Sequence, residues 1–157
     1  KRKSAYFIVT KNGVIGTGKL KQTSATVADG GSNIIVLRYA DVLLMLAECY
    51  AEKDNLSKAN EYLNFIKERA GVDKVIINDA SLMKEEIAFE RRKELVNEGH
   101  RWFDLLRTGK AVEVMNAYFA RTPGHNGITI TELNSVQPIP QAQIDTDSAT
   151  KQNEGYN

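Results

Sequence analysis

The sequence lacks features that several protein classes require. Cys49 is the single cysteine, so the chain can form no internal disulfide and has no cysteine pair for a zinc site. We expect Cys49 to be a small buried hydrophobe. The 21 Lys and Arg residues nearly balance the 20 Asp and Glu residues, and the formal net charge is +1. A charge this close to neutral lacks the positive field that nucleic-acid binding uses, which disfavours a nucleic-acid partner.

Long apolar runs are also missing. No stretch of about 18 apolar residues occurs, and the N-terminus does not show the basic and apolar segments of a signal peptide. Insertion of these residues into a membrane is therefore not expected. The chain opens at Lys1 in a polar segment, and we expect it to be a piece of a longer protein.

The length of 157 residues suits one domain and allows a core without disulfides or a metal. We therefore predict a single domain over residues 1–157. Near the N-terminus, "AYFIVT" is dense in β-branched and aromatic residues, and "NG" followed by "VI" predicts a hairpin. The small, polar stretch "TSATVADGGSN", residues 23–33, predicts a surface loop.

Two amphipathic helices are predicted next, from about Ile35 to Lys53 and from about Ser57 to Ala70, with Gly71 as a left-handed end. At ~100° per residue, their apolar stripes are Tyr39, Val42, Leu43, Leu46, Ala47 and Tyr50, then Ala59, Tyr62, Leu63, Ile66 and Ala70. The hairpin occupies about 34 residues, the period of a tetratricopeptide unit. The pattern predicts a mainly α fold of helical hairpins with tetratricopeptide-like packing.

Three further helices are predicted, from Asp79 or Ser81 to about Asn97, from His100 to about Thr108, and from Lys110 to about Ala120. After them, "ITITEL" is compatible with a short strand. The stretch "QPIPQAQI" is predicted to be extended, because proline fixes its own φ and biases the preceding residue away from helix. The C-terminal segment should therefore be extended and rich in loops.

Four glutamates at four-residue spacing would form one row along the third of these helices. They are Glu86, Glu90, Glu94 and Glu98. Like charges at this spacing repel by roughly 0.2–0.5 kcal/mol per pair, so cations must compensate for them. Arginine suits this role because its planar donors can bridge two carboxylates. We predict a structural lattice of charged and aromatic side chains made by Arg38, Arg69, Glu90, Arg91, Glu94, Glu98, Arg101, Trp102, Asp104 and Arg107.

The helical wheel also predicts which cations pair with the glutamates and which side of the helix faces the core. Compensating residues lie three positions from three of the glutamates, in the pairs Glu90 with Lys93, Glu94 with Arg91, and Glu98 with Arg101. The side away from the glutamates carries Ala88, Phe89, Leu95 and Val96 and is predicted to be apolar core. Arg92 falls among these residues, and it either extends outward or is paired inside.

Other uses of this stretch are less compatible with its spacing. Glycosidase carboxylates flank a bond from two sides, whereas residues four apart on one helix project from one wall. His100 does not have the spacing of a Glu-x-x-His metal motif, and no GxSxG, Walker A or GxGxxG sequence occurs. Trp102 is either a sugar-stacking platform or a core anchor, and its apolar neighbours favour the anchor. We predict no catalytic residue, no metal site and no cofactor.

Four blocks resemble the C-terminal half of the SusD/RagB family of outer-membrane nutrient-binding lipoproteins. The blocks are "IIVLRYADVLLMLAECY", "ANEYLNFIKERAGV", "IAFERRKELVNEGHRWFDLLRTGK" and "VQPIPQAQI" with "QNEGY". They follow the order of the family and cover roughly residues 34–156. Val136 and Gln137 replace the usual Leu-Trp before Pro-Ile-Pro, and Glu154 stands where proline is common before Gly-Tyr.

The resemblance implies a non-catalytic protein at the bacterial cell surface, held in the outer membrane by an N-terminal lipid that this chain does not contain. Its partner would be a SusC-like TonB-dependent transporter, and its ligand an oligosaccharide or, in some members, a peptide. Ligand-contacting residues do not transfer from the family. Two other hypotheses stay open: a tetratricopeptide-like interaction scaffold without a small ligand, and a glycoside hydrolase.

Overall fold

The computed structural model describes residues 6–9, 11–13, 15–19, 35–125 and 127–156. The loop predicted at residues 23–33 lies outside the described residues. The chain divides into two compact units, Lys1–Arg101 and Trp102–Asn157, and each is described by itself. That residues 1–157 act as a single domain stays a prediction.

The first unit begins with a two-stranded antiparallel sheet. Strand β1, Phe7–Val9, pairs with strand β2, Ile15–Thr17, so that Ile8 lies opposite Gly16. Gly13 adopts a φ of 77°, a left-handed conformation that glycine tolerates in a tight reversal. The predicted N-terminal hairpin is confirmed.

Helices α1, Tyr39–Glu52, and α2, Leu56–Arg69, pack against each other as a helical hairpin. The prediction placed the start of α1 near Ile35, but α1 begins four residues later because Arg38 is extended, with φ −150° and ψ 159°. Gly71 follows α2 with a φ of 69°, which confirms its predicted left-handed conformation.

The buried face of α1 differs from the predicted stripe. Its buried residues are Ala40, Asp41, Leu43, Leu44, Ala47 and Ala51, whereas Tyr39, Val42 and Leu46 are exposed. The helix has two apolar sides, and the alanine-rich side faces inward because small side chains allow close packing. Cys49 is exposed, so the prediction that it is buried is wrong. It lies three residues after Leu46, on the outward side.

The predicted stripe of α2 agrees better with the structure. Ala59, Leu63, Ile66 and Ala70 are buried. Tyr62 is partly buried and stacks on Tyr50 of α1 with 5.6 Å between ring centroids. This ring pair joins the two helices beside the aliphatic core.

Helix α3, Ala80–Glu94, completes the core of the first unit. Asp79 caps it by accepting a 2.8 Å hydrogen bond from the Leu82 N–H. The prediction extended this helix to Asn97, but that residue has a left-handed φ of 64° and the helix ends at Glu94. The core of the first unit contains Leu43, Leu44, Leu63, Ile66, Met83 and Ile87.

The remaining helices are α4, His100–Arg107, α5, Ala111–Arg121, a 3₁₀ helix, Glu132–Ser135, and α6, Gln141–Thr146. The short strand with which "ITITEL" was compatible does not form, and the end of this stretch belongs to the 3₁₀ helix, where Thr131 and Asn134 cap each other. The expectation that "QAQI" is extended is also wrong. Pro140 has a φ of −55° and immediately precedes α6, a position where its missing N–H is no loss.

Side-chain amides hold parts of the C-terminal segment in place. Asn116 on α5 exchanges two hydrogen bonds, of 2.8 and 3.0 Å, with the backbone of Ile130. Gln152 does the same with Ile139, at 2.8 and 2.9 Å. The mainly α fold with tetratricopeptide-like helical hairpins, a short N-terminal hairpin and a loop-rich C-terminal segment is confirmed. None of the helices in the described ranges combines the length and apolar character needed to cross a membrane.

Candidate functional site

A dense cluster of charged side chains lies in the first unit where α3 ends, around Glu94 and Glu98. Arg38, the extended residue before α1, reaches both carboxylates. Its Nη1 donates to Glu94 Oε1 at 2.6 Å, and its Nε donates to Glu98 Oε2 at 2.6 Å. Its Nη2 donates to Glu98 Oε1 at 2.9 Å and to the Glu94 carbonyl at 2.6 Å. One planar guanidinium thus joins two carboxylates and the end of a helix.

Two further cations complete this cluster. Arg69, at the end of α2, donates from Nη2 to Glu94 Oε1, and Lys19 donates from Nζ to Glu98 Oε1. Lys19 also bonds the Glu94 carbonyl at 2.6 Å and lies 3.8 Å from the centroid of the Tyr6 ring. The cluster therefore connects the N-terminal hairpin region, α1, α2 and α3 through charge-assisted hydrogen bonds.

Burial and hydrogen bonding compete in setting the ionisation of this cluster. Burial alone would raise the pKa of Glu94 and Glu98, but hydrogen bonds from Arg38, with Tyr6 at Glu94 and Lys19 at Glu98, hold each pKa below its usual value. Burial lowers the pKa of Lys19, and its bond to Glu98 opposes that effect. The pKa of Arg38 is raised, because its hydrogen bonds to the two glutamates outweigh its desolvation.

The glutamate row lies on the core side of α3, which corrects the predicted orientation of this helix. Glu90 and Glu94 are 0% exposed, beside Met83 and Ile87 on the same face. Of the four residues expected to be core, Ala88 and Phe89 are exposed, Val96 is partly buried, and Leu95 is buried as predicted. Glu90 and Glu94 continue the buried face that Met83 and Ile87 begin, because all four positions recur at helical spacing. Their burial is tolerated because cations reach the carboxylates from neighbouring elements.

The middle of the row has its own cations. Lys67 of α2 is buried, with its Nζ 2.5 Å from Glu86 Oε1 and 3.9 Å from Glu90 Oε2. Lys93 lies 3.0 Å from Glu90 Oε2, the partner expected from sequence. Arg92, whose environment the sequence left open, is exposed.

Arg91 has a partner that the sequence spacing did not identify. Its Nη1 lies 2.8 Å from Asp41 Oδ1 of α1, and both side chains are 5% exposed. The spacing argument assigned Arg91 to Glu94, and it could not identify Asp41 because spacing along one helix gives partners only within that helix. Arg91 therefore connects α3 to α1 independently of Arg38.

The predicted residues on α4 show less burial. Arg101 and Trp102 are partly buried, and Leu105 is the buried residue of this helix. In the second unit, Arg107 Nε donates a 2.9 Å hydrogen bond to Asp104 Oδ1. Both ends of this pair belong to one turn of α4, so it supports the helix locally.

Comparison with known proteins places the chain in a family. A model described as the SusD family matches residues 1–156. The chain belongs to the SusD family. This confirms the resemblance drawn from the four sequence blocks.

Individual relatives of this SusD-family chain are considerably longer. SusD-like protein P38 of Formosa agariphila is 44% identical over 93 residues, which cover 54% of this chain and 18% of that protein. SusD-like protein P25 of the same organism is 33% identical over 131 residues, or 80% of this chain and 24% of that protein. The structure of surface glycan-binding protein A from Bacteroides thetaiotaomicron matches with a TM-score of 0.67 and 32% identity, covering 80% of this chain and 26% of that one. The chain therefore spans about a quarter or less of the curated relatives' length.

Sequence reasoning missed three charged residues of this SusD-family site: Lys19, Asp41 and Lys67. Two of them could have been identified from the sequence, because they lie within apolar stripes. Lys67 follows Ile66 on the buried stripe of α2, and Asp41 lies next to Ala40 on the buried side of α1. A charged residue within an apolar stripe requires a buried partner, and each could have been matched to α3 on that ground. Lys19 lay outside any predicted element and carried no such signal.

Proposed function

We propose that this chain is part of a non-catalytic glycan-binding protein of the cell surface. The proposal rests on the match of residues 1–156 to the SusD family. The similarity to a structure named as a surface glycan-binding protein, at 32% identity, favours a glycan as the ligand class. The captured molecule would be an oligosaccharide or, as in some members of the family, a peptide.

The buried charge cluster is proposed to be structural. A catalytic carboxylate must touch its substrate, whereas Glu90 and Glu94 are 0% exposed beneath α1 and α2. Together with Arg38, Arg69, Arg91 and Glu98, they would fix the mutual positions of the helices. Arg101 and Trp102 are proposed to be structural as well, and Asp104 and Arg107 to support α4 locally through their pair. This assignment supports a binding protein over a glycoside hydrolase.

The wider setting is proposed by analogy with the family. The full-length protein would be anchored in the outer membrane by a lipid outside these residues. There it would deliver its ligand to a partner TonB-dependent transporter. The full-length protein carries an affinity tag and is purified from membranes in mild detergent. The transporter should be recovered with it in one complex. Recovery of the tagged protein alone would contradict the partnership.

Calorimetry on the full-length protein tests the ligand class. Titration with a panel of bacterial, plant and algal oligosaccharides should give saturable binding to one structural type, with no hydrolysis product after prolonged incubation. Turnover that disappears in Glu90→Gln without loss of stability would establish a hydrolase instead. A panel of oligosaccharides and peptides that gives no heat of binding would favour the interaction scaffold without a small ligand.

A further inference from the structure

Two asparagines of α2 hold the chain that follows this helix. The side chain of Asn64 donates to the Val75 carbonyl at 2.7 Å and accepts from the Val75 N–H at 2.8 Å. Asn60 makes the same pair of bonds with Ile77, at 2.8 and 3.0 Å. Each side-chain amide thus imitates the backbone of a neighbouring strand.

The spacing of these bonds shows that the held segment, residues 74–78, is extended. Four residues of a helix advance by about 6 Å, and two residues of a strand advance by about 6.6 Å. Asparagines four positions apart on α2 can therefore bind residues two positions apart in an extended chain, as Asn60 and Asn64 do. The segment runs antiparallel to α2, because the earlier asparagine binds the later residue. Burial alternates in the same way: Val75 and Ile77 are partly buried, and the residues between and beside them are exposed.

The alternation leaves the other edge of the segment open. In an extended chain, the N–H and C=O groups of successive residues point to opposite edges. Val75 and Ile77 use the edge that faces α2, so Lys74, Ile76 and Asn78 present theirs on the opposite edge. Within the described part of the chain, the backbone groups of these three residues make no hydrogen bond. Such an edge is a template for a further strand.

A groove of about 680 Å³ lies beside this segment, lined by Ile76, Ile77 and Asn78 on one side and by α3 on the other. Its apolar surface comes from Ile76, Leu82 and Phe89, which are 83%, 58% and 53% exposed. The residues of α3 that line it are spaced so that they form one continuous helical face.

The charge of the groove is negative. Glu85 lines it, is exposed and has no ion pair among the described residues. Asp79 adds a second carboxylate, which caps α3. The cations near the groove are already engaged: Lys67 pairs with Glu86 and Lys74 pairs with Glu68. Lys93 pairs with Glu90 and lies 4.0 Å from the centroid of the Phe89 ring.

We propose that this groove docks an extended segment of another protein by strand addition. The segment pairs its backbone with Ile76 and Asn78, and it places an apolar side chain on Leu82 and Phe89. A lysine or arginine two residues from that side chain lies on the same side of the strand and beside Glu85. The open backbone edge selects a polypeptide, since regularly spaced amides satisfy it, and the carboxylates select a basic sequence. The inference goes beyond the proposed glycan binding and does not depend on it.

The test uses the full chain and a fluorescent heptapeptide, Val-Lys-Thr-Phe-Thr-Lys-Val, whose two lysines lie on the same side of an extended chain as the phenylalanine. Fluorescence anisotropy should show saturable binding that weakens at least tenfold when the central amides of the peptide are N-methylated. Ile76→Pro removes one backbone donor of the open edge and should weaken binding at least tenfold, whereas Ile76→Val retains the donor and should change it less than threefold. Glu85→Lys should weaken binding tenfold, and Glu61→Lys, the same charge change at an exposed position outside the groove, should not.

Hydrogen exchange gives a second measurement that does not depend on how well Ile76→Pro folds. Bound peptide should slow exchange at Ile76 and Asn78 in the unsubstituted chain. The proposal is overturned by absence of saturable binding at millimolar peptide, or by binding insensitive to both Ile76→Pro and Glu85→Lys. Displacement of the peptide by a neutral oligosaccharide would identify a glycan site instead. A dimer of the chain that dissociates in Glu85→Lys would identify a second copy as the occupant.

Discussion

Nη1 of Arg38 donates a 2.6 Å hydrogen bond to Oε1 of Glu94, a residue 56 positions further along the chain. The bond joins the start of α1 to the end of α3. Glu94 is 0% exposed, so its negative charge has no access to water and depends on the cations around it. Stability of the first unit should therefore respond strongly to the loss of Arg38.

Replacing Arg38 by methionine keeps much of the side-chain volume and removes the charge. We expect the free energy of unfolding to fall by about 3 kcal/mol, the lower end for a broken buried pair, because Arg69 and Lys19 still reach the two glutamates. Urea denaturation measures the change. Arg92→Met is the matched control: Arg92 is exposed, so this variant should stay within about 0.5 kcal/mol of the original protein. Equal effects of the two substitutions would show that the Arg38 cluster adds no stability.

The same cluster should make the protein sensitive to acid. The pKa values of Glu94 and Glu98 are below the ordinary 4.5 in the folded chain, so between the two values the unfolded state binds more protons. Stability then rises with pH through this window. The contribution is complete above about pH 5 and is lost as the pH falls through the folded pKa values. Asp147 also has a lowered pKa and adds to the slope.

Urea midpoints measured from pH 7 to pH 3 separate the sources of this acid sensitivity. Glu98→Gln should flatten the curve below pH 5, because its amide cannot take up the proton. Asp147→Asn removes the contribution of an exposed carboxylate and should leave most of the slope in place. A slope that is unchanged in Glu98→Gln would assign the acid sensitivity to other groups.

Helix existence and family membership could be predicted from the sequence because both depend on local patterns. The inward side of α1 could not be predicted this way, since Leu44 and Leu46 are equally apolar and helical periodicity alone does not distinguish two apolar sides. The choice depends on how closely α2 and α3 approach the helix, a property of the packed structure. The pairing of Arg91 with Asp41 was also missed, because the two residues lie on different helices and meet only in the packed structure.

The helix boundaries and the structure of the C-terminal segment could not be predicted, because they depend on the conformations and contacts of single residues. Helix α3 ends at Glu94, and the left-handed Asn97 that follows excludes the predicted extension to that residue; asparagine adopts this conformation only in some contexts. "ITITEL" has strand-like composition, but no second strand pairs with it among the described residues of the second unit. The bonds from Asn116 hold Ile130 instead. Composition cannot reveal such a side-chain partner.

Two leucines of α1 test which side of the helix faces the core. Leu44 is 0% exposed and Leu46 is 36% exposed. Leu44→Ala should lower the free energy of unfolding by about 2–5 kcal/mol, because it leaves a cavity in the core. Leu46→Ala should cost less than about 1 kcal/mol. Thermal or urea denaturation distinguishes the two, and a larger cost at Leu46 would restore the stripe predicted from sequence.

The asparagine bonds to the extended segment predict a local response rather than a global one. Asn64→Ala leaves the Val75 N–H and carbonyl without their protein partners, and the loss should be about 1–3 kcal/mol, reduced by the partial access of water to Val75. Amide exchange should accelerate at Val75 more than at Ile77, which Asn60 still holds, and Asn60→Ala should reverse that order. Asn64→Asp keeps the acceptor for the Val75 N–H but not the donor to its carbonyl, so it should lie between the original protein and Asn64→Ala. Equal acceleration at both amides in Asn64→Ala would mean that the segment detaches as a unit, with the two asparagines acting together.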